Sequence, residues 1–320
     1  MDLDLKDKKL LFELDFGARQ SYSKLAKKLK LSKQGVEYKL NNLIKKGVIE
    51  GFYTVVNVPK LGYIYCRLTL VLQNLDPEKE KEILDYVIKN PKFFWVFTTQ
   101  GIYDILLVMW AKNITEFKNA VDELISKFGK YIKLKTETIT TDVIHYEQRY
   151  LLEIKETKEV HIKETEERVK IDETDKNILR ILVNNARIPL VKISKDLKIN
   201  PKVIGNRIKK MEKMKLIECY RPIINHNILG YTYYKLFISL NNINKEKLIE
   251  LKKYVKESPM IFYLLEGIGS PGDLDIEVMV KNNQELFDFI KDLRNKFPSM
   301  IGEYKTFMFY ETKKVRYLPF

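Results

Sequence analysis

Apolar residues in the first 60 positions recur at helical spacing in three runs. Leu10, Leu11 and Leu14 form one stripe behind Asp7. Leu25, Ala26 and Leu29 form a second that Ser21 or Ser23 can cap, and Val36, Leu40 and Leu43 form a third capped by Ser32. Lys45, Lys46 and Gly47 close the third run, where cations suit the helix dipole and glycine suits a left-handed cap. Positions 48–57 then read as a β-rich wing. From 63 to 150 the pattern changes to strands at 63–72, 92–99, 103–111 and 131–146, with helices at 78–89 and 115–128. Phe117, Val121, Leu124 and Phe128 share one face of the second helix. Apolar residues occupy both parities of 93–96 and 105–110, which predicts sheet faces buried on both sides: helices cover one and a partner sheet must cover the other. Trp95 and Trp110 read as core or interface.

The same pattern is written twice. Residues 4–63 recur at 172–231 with a constant offset of 168, and the identities include Asp4/Asp172, Asp7/Asp175, Arg19/Arg187 and Gly62/Gly230. After one inserted residue, Asp104 falls on Asp273 and Phe128 on Phe297. The period far exceeds the ~20–50 residues of solenoid repeats, so the chain is a domain duplication. In the second copy Asn200 caps the third helix and Pro201 takes its first position. Strands at 233–240, 261–265, 274–280 and 303–309 and helices at 245–257 and 284–297 repeat the βαββαβ order of a ferredoxin-like sandwich. The expected architecture is α+β, two winged helix-turn-helix domains (1–62 and 170–230) alternating with two ferredoxin-like βαββαβ sandwich domains (63–150 and 231–320). A charged stretch, 151–169, lies between the halves as a tether or an exposed helix.

Charge separates the modules. Positions 1–60 hold 13 Lys+Arg against 7 Asp+Glu, and 170–230 hold 14 against 6, which together equal the +14 of the whole chain. Positive charge confined to the same module of each copy points to a polyanionic partner, duplex DNA. Cys66 and Cys219 are the only cysteines, and His145, His161 and His226 are scattered, so neither a disulfide framework nor a metal site is expected, and no cofactor. The start lacks a signal peptide's apolar core and no apolar run reaches the ~18 residues of a membrane span, so a cytoplasmic location is expected.

The inward stripe of each third helix leaves Lys33, Gln34, Glu37 and Tyr38 outward in copy one, and Lys202, Gly205 and Asn206 in copy two. Those N-terminal outward positions are the ones a recognition helix presents to the major groove. Lys27, Lys28 and Lys39 flank the first helix, as do Lys195, Arg207 and Lys209 the second, to meet phosphates without reading sequence.

These motifs resemble the Lrp/AsnC, or feast/famine, family of transcription regulators. The resemblance rests on the paired aspartates Asp4/Asp7 and Asp172/Asp175, on Asn185, Ala186 and Arg187, and on Leu31 with Ser32. Gly47, Val48 and Ile49 and the two Leu-Gly pairs at the module junctions complete it. It covers nearly the whole chain, in two copies. It implies DNA-binding heads joined to sandwich domains that pair through their sheets and often bind an amino acid at the inter-subunit interface. It also implies an effector-linked loop at Gly101 and Asp104, whose second copy carries an insertion before Asp273. Only the second of the family's two mid-helix basic residues is kept, as Lys39 and Arg207.

The function expected is a sequence-specific double-stranded-DNA-binding transcription regulator made of two fused units, and not an enzyme. The sandwiches are expected to pair within the chain as a pseudo-dimer or between chains as a homo-oligomer. A DNA-organising nucleoid protein is the nearer alternative. The same two-domain arrangement also resembles that of sirohaem decarboxylases. Their expected His-Asn-Tyr and Asn-Leu-Trp-Phe stretches correspond here to Phe94, Trp95, Val96 and to Asp104, Ile105, Leu106, Leu107.

Overall fold

The computed structural model describes residues 2–320. Head one comprises α1 (Leu5–Leu14), α2 (Tyr22–Leu29), α3 (Lys33–Lys45) and the wing strand β1 (Ile49–Val56). Unit one follows as β2 (Ile64–Leu72), α4 (Pro77–Lys89), β3 (Trp95–Gly101), β4 (Ile105–Ala111), α5 (Ile114–Phe128) and β5 (Ile132–Tyr146). A short strand, β6 (Glu159–Lys163), precedes head two: α6 (Glu173–Asn184), α7 (Leu190–Leu197), α8 (Pro201–Lys213) and the wing β7 (Ile217–Ile224). Unit two is β8 (Thr232–Leu240), α9 (Lys245–Glu257), β9 (Ile261–Ile268), β10 (Leu274–Val280), α10 (Asn283–Lys296) and β11 (Ile301–Val315).

Local chemistry sets the helix starts. Ser21 and Ser32 accept from the backbone amides of Lys24 and Gly35, and Asp172 with Asp175 closes a reciprocal capping box on α6. The predicted stripes point inward: Leu10, Leu11, Leu14, Leu25, Val36 and Leu40 are buried, and full burial of each such side chain contributes about 1.5–3 kcal/mol.

The two sandwiches do not pack face to face as separate bodies. Their strands form one ring in the order β2-β4-β3-β11-β8-β10-β9-β5, and β5 pairs back onto β2 to close it. The closure depends on two long strands that serve both units. The first half of β5 pairs with β2, and its second half, from Ile139 to His145, pairs with β9 of the other unit. In the same way β11 runs along β8 and then, from Phe307 to Val315, along β3. The partner sheet that the sequence demanded is therefore the other half of the same barrel, and β4 and β10 are buried at every residue. The stretch read as a tether or exposed helix contains β6, which extends the sheet beside the far half of β5. Strand β11 runs six residues beyond the predicted 309 because its charged end is paired with β3.

Above the barrel the two wings pair antiparallel, with Tyr53 opposite Arg221. The heads lock reciprocally. Arg19 donates to the carbonyls of Ala186 and Ile188, and Arg187 donates to those of Ala18 and Gln20. Arg221 fastens this assembly to the barrel. Its side chain is fully buried and forks onto Asp15 at 2.6 and 2.9 Å. It also donates to the carbonyl of Tyr146 at 3.0 Å, while Phe16 and Phe262 lie within 4.9 Å of its guanidinium. Burial works against the charge, but Asp15 beside it holds the Arg221 pKa well above its ordinary value. Two imidazoles share this junction: His145 Nδ1 lies 3.2 Å from Arg221, and His226 Nδ1 lies 2.8 Å from the Tyr150 hydroxyl. Burial, reinforced by the Arg221 charge, pushes both pKa values down, that of His226 to about 3.

Two outcomes follow for stability. Asp15→Asn leaves a buried guanidinium without its counter-charge, so urea denaturation should show a loss of about 3–5 kcal/mol. A loss below about 1 kcal/mol, the worth of an exposed pair, would contradict the junction. The second concerns acid. His226 is neutral in the fold while the unfolded chain takes up a proton near its ordinary 6.5, so stability is complete above that pH and falls as pH drops from 6.5 toward 3. The fall is up to about 1.4 kcal/mol per pH unit. Thermal melts across that range should show a shallower slope for His226→Phe than for the wild type; parallel slopes would refute it.

Candidate nucleic-acid interface and barrel interior

The recognition helices carry the outward faces that their stripes require. On α3, Lys33, Gln34 and Glu37 are exposed and Tyr38 is 72% exposed; on α8, Lys202 and Asn206 are exposed. Ser32 acts as the cap of α3, and Asn200 caps α8 by accepting from Lys202 N at 2.9 Å. Lys27, Lys28, Lys195 and Lys209 are all exposed around them, although Lys28 reaches Glu13. Gly205 behaves differently from its neighbours. It is half-buried and a Cβ there would meet Leu190 at 3.3 Å, so its smallness serves the packing of α8 on α7.

The kept basic position of each helix has an internal partner. Lys39 bridges Asp4 and Asp7 at 2.7 and 2.9 Å, and Arg207 bridges Asp172 and Asp175 at the same two distances. Each cation thus ties its recognition helix to the start of the first helix of the same head. This accounts for the paired aspartates that recur at the offset.

The Gly101, Asp104 and Asp273 positions have backbone roles. Gly101 has φ +133°, and a Cβ on it would stand 2.7 Å from the Thr306 carbonyl, where β11 crosses onto β3. Gly269 has φ +80° and faces the Glu137 carbonyl at the matching crossing of β5 onto β9. The carboxylates of Asp104 and Asp273 accept from the amides of Leu72 and Leu240, each at 2.7 Å.

The barrel interior holds a feature that the sequence reading passed over. Arg67 on β2 reaches across to Asp275 on β10 at 2.7 Å, and Lys235 on β8 contacts Asp275 at 2.5 Å and Glu277 at 2.8 Å. Tyr233 donates to Glu277, and Arg67 Nε donates to Thr140 at 3.0 Å. Burial disfavours the Asp275 carboxylate, but Arg67 and Lys235 hold its pKa below the ordinary value. Beside this network lies a cavity of about 240 Å³ walled by Trp95, Trp110, Tyr65, Val108 and Tyr263, with wing residues Tyr53 and Ile223 at its border. The only signal for the network in the sequence was four lone charges inside otherwise apolar strands. Among the described residues no group of His, Cys, Asp and Glu could hold a metal ion, and no helix is long and apolar enough to cross a membrane.

Comparison with known proteins agrees with both halves of this description. A family model for an AsnC-type helix-turn-helix domain matches residues 171–212, and one for a winged helix-turn-helix DNA-binding domain matches residues 3–50. The HTH-type transcriptional regulator FL11 of Pyrococcus horikoshii is 30% identical over 152 residues, 48% of this chain and 98% of that protein. The regulator LrpA of the same organism is 29% identical over 132 residues, 41% of this chain and 92% of its own. Among solved structures, the siroheme decarboxylase NirDL aligns over 97% of this chain and 92% of its own with a TM-score of 0.63 and 11% identity. A likeness at that identity shows the fold, two units merged into a closed barrel. With two helix-turn-helix heads and a relative matched over almost its full length, the chain belongs to the Lrp/AsnC-type family of helix-turn-helix regulators, its units duplicated in one polypeptide.

Proposed function

We propose that this chain is a sequence-specific, double-stranded-DNA-binding transcription regulator whose two heads read different half-sites. The observation that carries the reading is the reciprocal Arg19/Arg187 lock. It holds two basic recognition helices in one fixed relation while leaving their outward faces open. Those faces differ. Gln34 and Asn206 can each read adenine and Lys33 and Lys202 guanine, whereas Glu37, with glycine at its counterpart, can accept from cytosine in one head only. One chain therefore presents the two heads that a homodimer takes from two subunits, and its target loses the palindrome that identical heads impose. A DNA-organising role would use the same phosphate contacts without the base readout.

The decarboxylase reading has the full-chain likeness of fold in its favour and the cavity against it. Among the described residues Arg67 is the one lysine or arginine lining the cavity, and it is committed to Asp275, which leaves the acidic arms of a tetrapyrrole only the neutral imidazoles of His145 and His226. The space, about 240 Å³, is below the ~300–1,000 Å³ of pockets that take drug-sized ligands.

Selection from random duplexes should return two distinguishable half-motifs. Gln34→Ala should relax one and Asn206→Ala the other, each by about 1–3 kcal/mol at the base concerned. Affinity should fall steeply with salt, with a log–log slope of about −0.9 for each phosphate neutralised. A single symmetric motif, or both substitutions blurring the same half, would refute the two-site reading. Broad, motif-free binding would favour the organiser.

A further inference from the structure

The two halves of the barrel lining have diverged. Tyr65 and Tyr233 correspond, as do Arg67 and Lys235, but the positions of Asp275 and Glu277 are Leu106 and Val108 in the first copy, and that of Met279 is Trp110. One wall of the cavity is thus aromatic and apolar and the other carries the charge network. A barrel that only needed filling would be served by aliphatic side chains, because replacing a buried ion network with packed apolar groups is often neutral or stabilising. The rings of Trp95 and Trp110 line the cavity, while their indole N–H groups are buried in its wall and closed to it.

We propose that the barrel interior is a binding chamber for a small, uncharged ring compound, and that its occupancy is transmitted to the wing ribbon. Size follows from the cavity, which at about 240 Å³ falls just under the ~300–1,000 Å³ of pockets that take drug-sized ligands. That suits one or two rings. Neutrality follows from charge: Arg67 and Lys235 balance Asp275 and Glu277, so an ionised ligand would enter without a counter-charge. Shape follows from the walls, where Tyr65 meets Trp110 edge-on at 4.8 Å and Trp95 at 6.0 Å, leaving ring surfaces for a flat guest. The route outward is a run of rings. Trp95 contacts Tyr317, and Tyr317 stacks on Tyr53 of the wing strand β1 at 4.9 Å. The chamber stands on its own geometry, while the coupling rests on the regulator reading above.

The chain has two tryptophans and both line the chamber, so tryptophan fluorescence, excited selectively over that of the tyrosines, reports on it. The full chain is titrated with acetophenone and benzamide as neutral probes and with benzoate and benzylamine as charged ones, with calorimetry in parallel. Saturable one-to-one binding of a neutral probe is expected, with both charged congeners at least tenfold weaker. Val108→Phe fills the chamber from its wall and should weaken the neutral probe about tenfold while the melting curve stays cooperative. Absence of saturable binding of both neutral probes to their solubility limit would overturn the chamber. So would equal affinity for the charged probes, or stoichiometric uptake of uroporphyrin III. On duplex DNA, saturation with the bound probe should shift affinity about fivefold or more. Probe binding with unchanged DNA affinity would overturn the coupling alone. Probe binding by a chain that binds no duplex would overturn the regulator reading and leave the chamber standing.

Discussion

Two strands that each belong to both halves of the chain, β5 and β11, set the constraint on which everything else rests. A ferredoxin-like sheet leaves one face bare, and a duplicated chain must cover two such faces. Sending the last strand of each unit across to the other closes the sheets on themselves and leaves no ring edge unpaired. The crossing brings backbones too close for a side chain, which is why Gly101 and Gly269 stand there with positive φ. It also gives the molecule a single interior, so that one cavity replaces the two equivalent surfaces expected of separate sandwiches.

That shared interior lets the two copies take different parts. The second copy supplies Asp275 and Glu277 where the first supplies Leu106 and Val108, and Arg67 of the first reaches across to complete the network. The junction with the heads is uneven in the same way. Arg221 is clamped by Asp15, yet their counterparts at the offset are Tyr53 and Val183, and on that side the wing is held by ring stacking on Tyr317. Charge anchors one wing to the barrel and aromatic packing anchors the other. The heads themselves kept their symmetry in the Arg19/Arg187 exchange and in the Lys39 and Arg207 bridges.

Much of this was legible from residues alone. The helical stripes, the offset of 168 and the βαββαβ order are local or periodic properties, and the structure reproduces them to within a few residues apart from β11. Barrel closure was not legible, because a period of two tells which face a residue takes and nothing about which strand lies alongside. The end of β11, Tyr310 to Val315, carries three charged residues and reads as a surface tail until β3 is placed beside it. The charged stretch between the halves misled for a similar reason: β6 is a strand only because the end of β5 offers it an edge. For Lys39 and Arg207, position on the helix suggested a phosphate contact, but the aspartates that claim them lie about 35 residues upstream and meet them only in three dimensions.

A two-headed chain built this way gives up the free movement of tethered heads for a fixed relation between two unlike ones. Spin labels at Lys45→Cys and Lys213→Cys, exposed at the C-terminal turns of α3 and α8 and off the faces set against base edges, with the buried Cys66 and Cys219 left in place, allow the distance between the recognition helices to be measured by electron–electron double resonance. Locked heads predict one narrow distance, unchanged when duplex DNA is added and broadened when Arg19 and Arg187 are both replaced by alanine. A broad distribution in the unaltered protein, or a distance that reaches a single value only on DNA, would contradict the fixed two-headed unit.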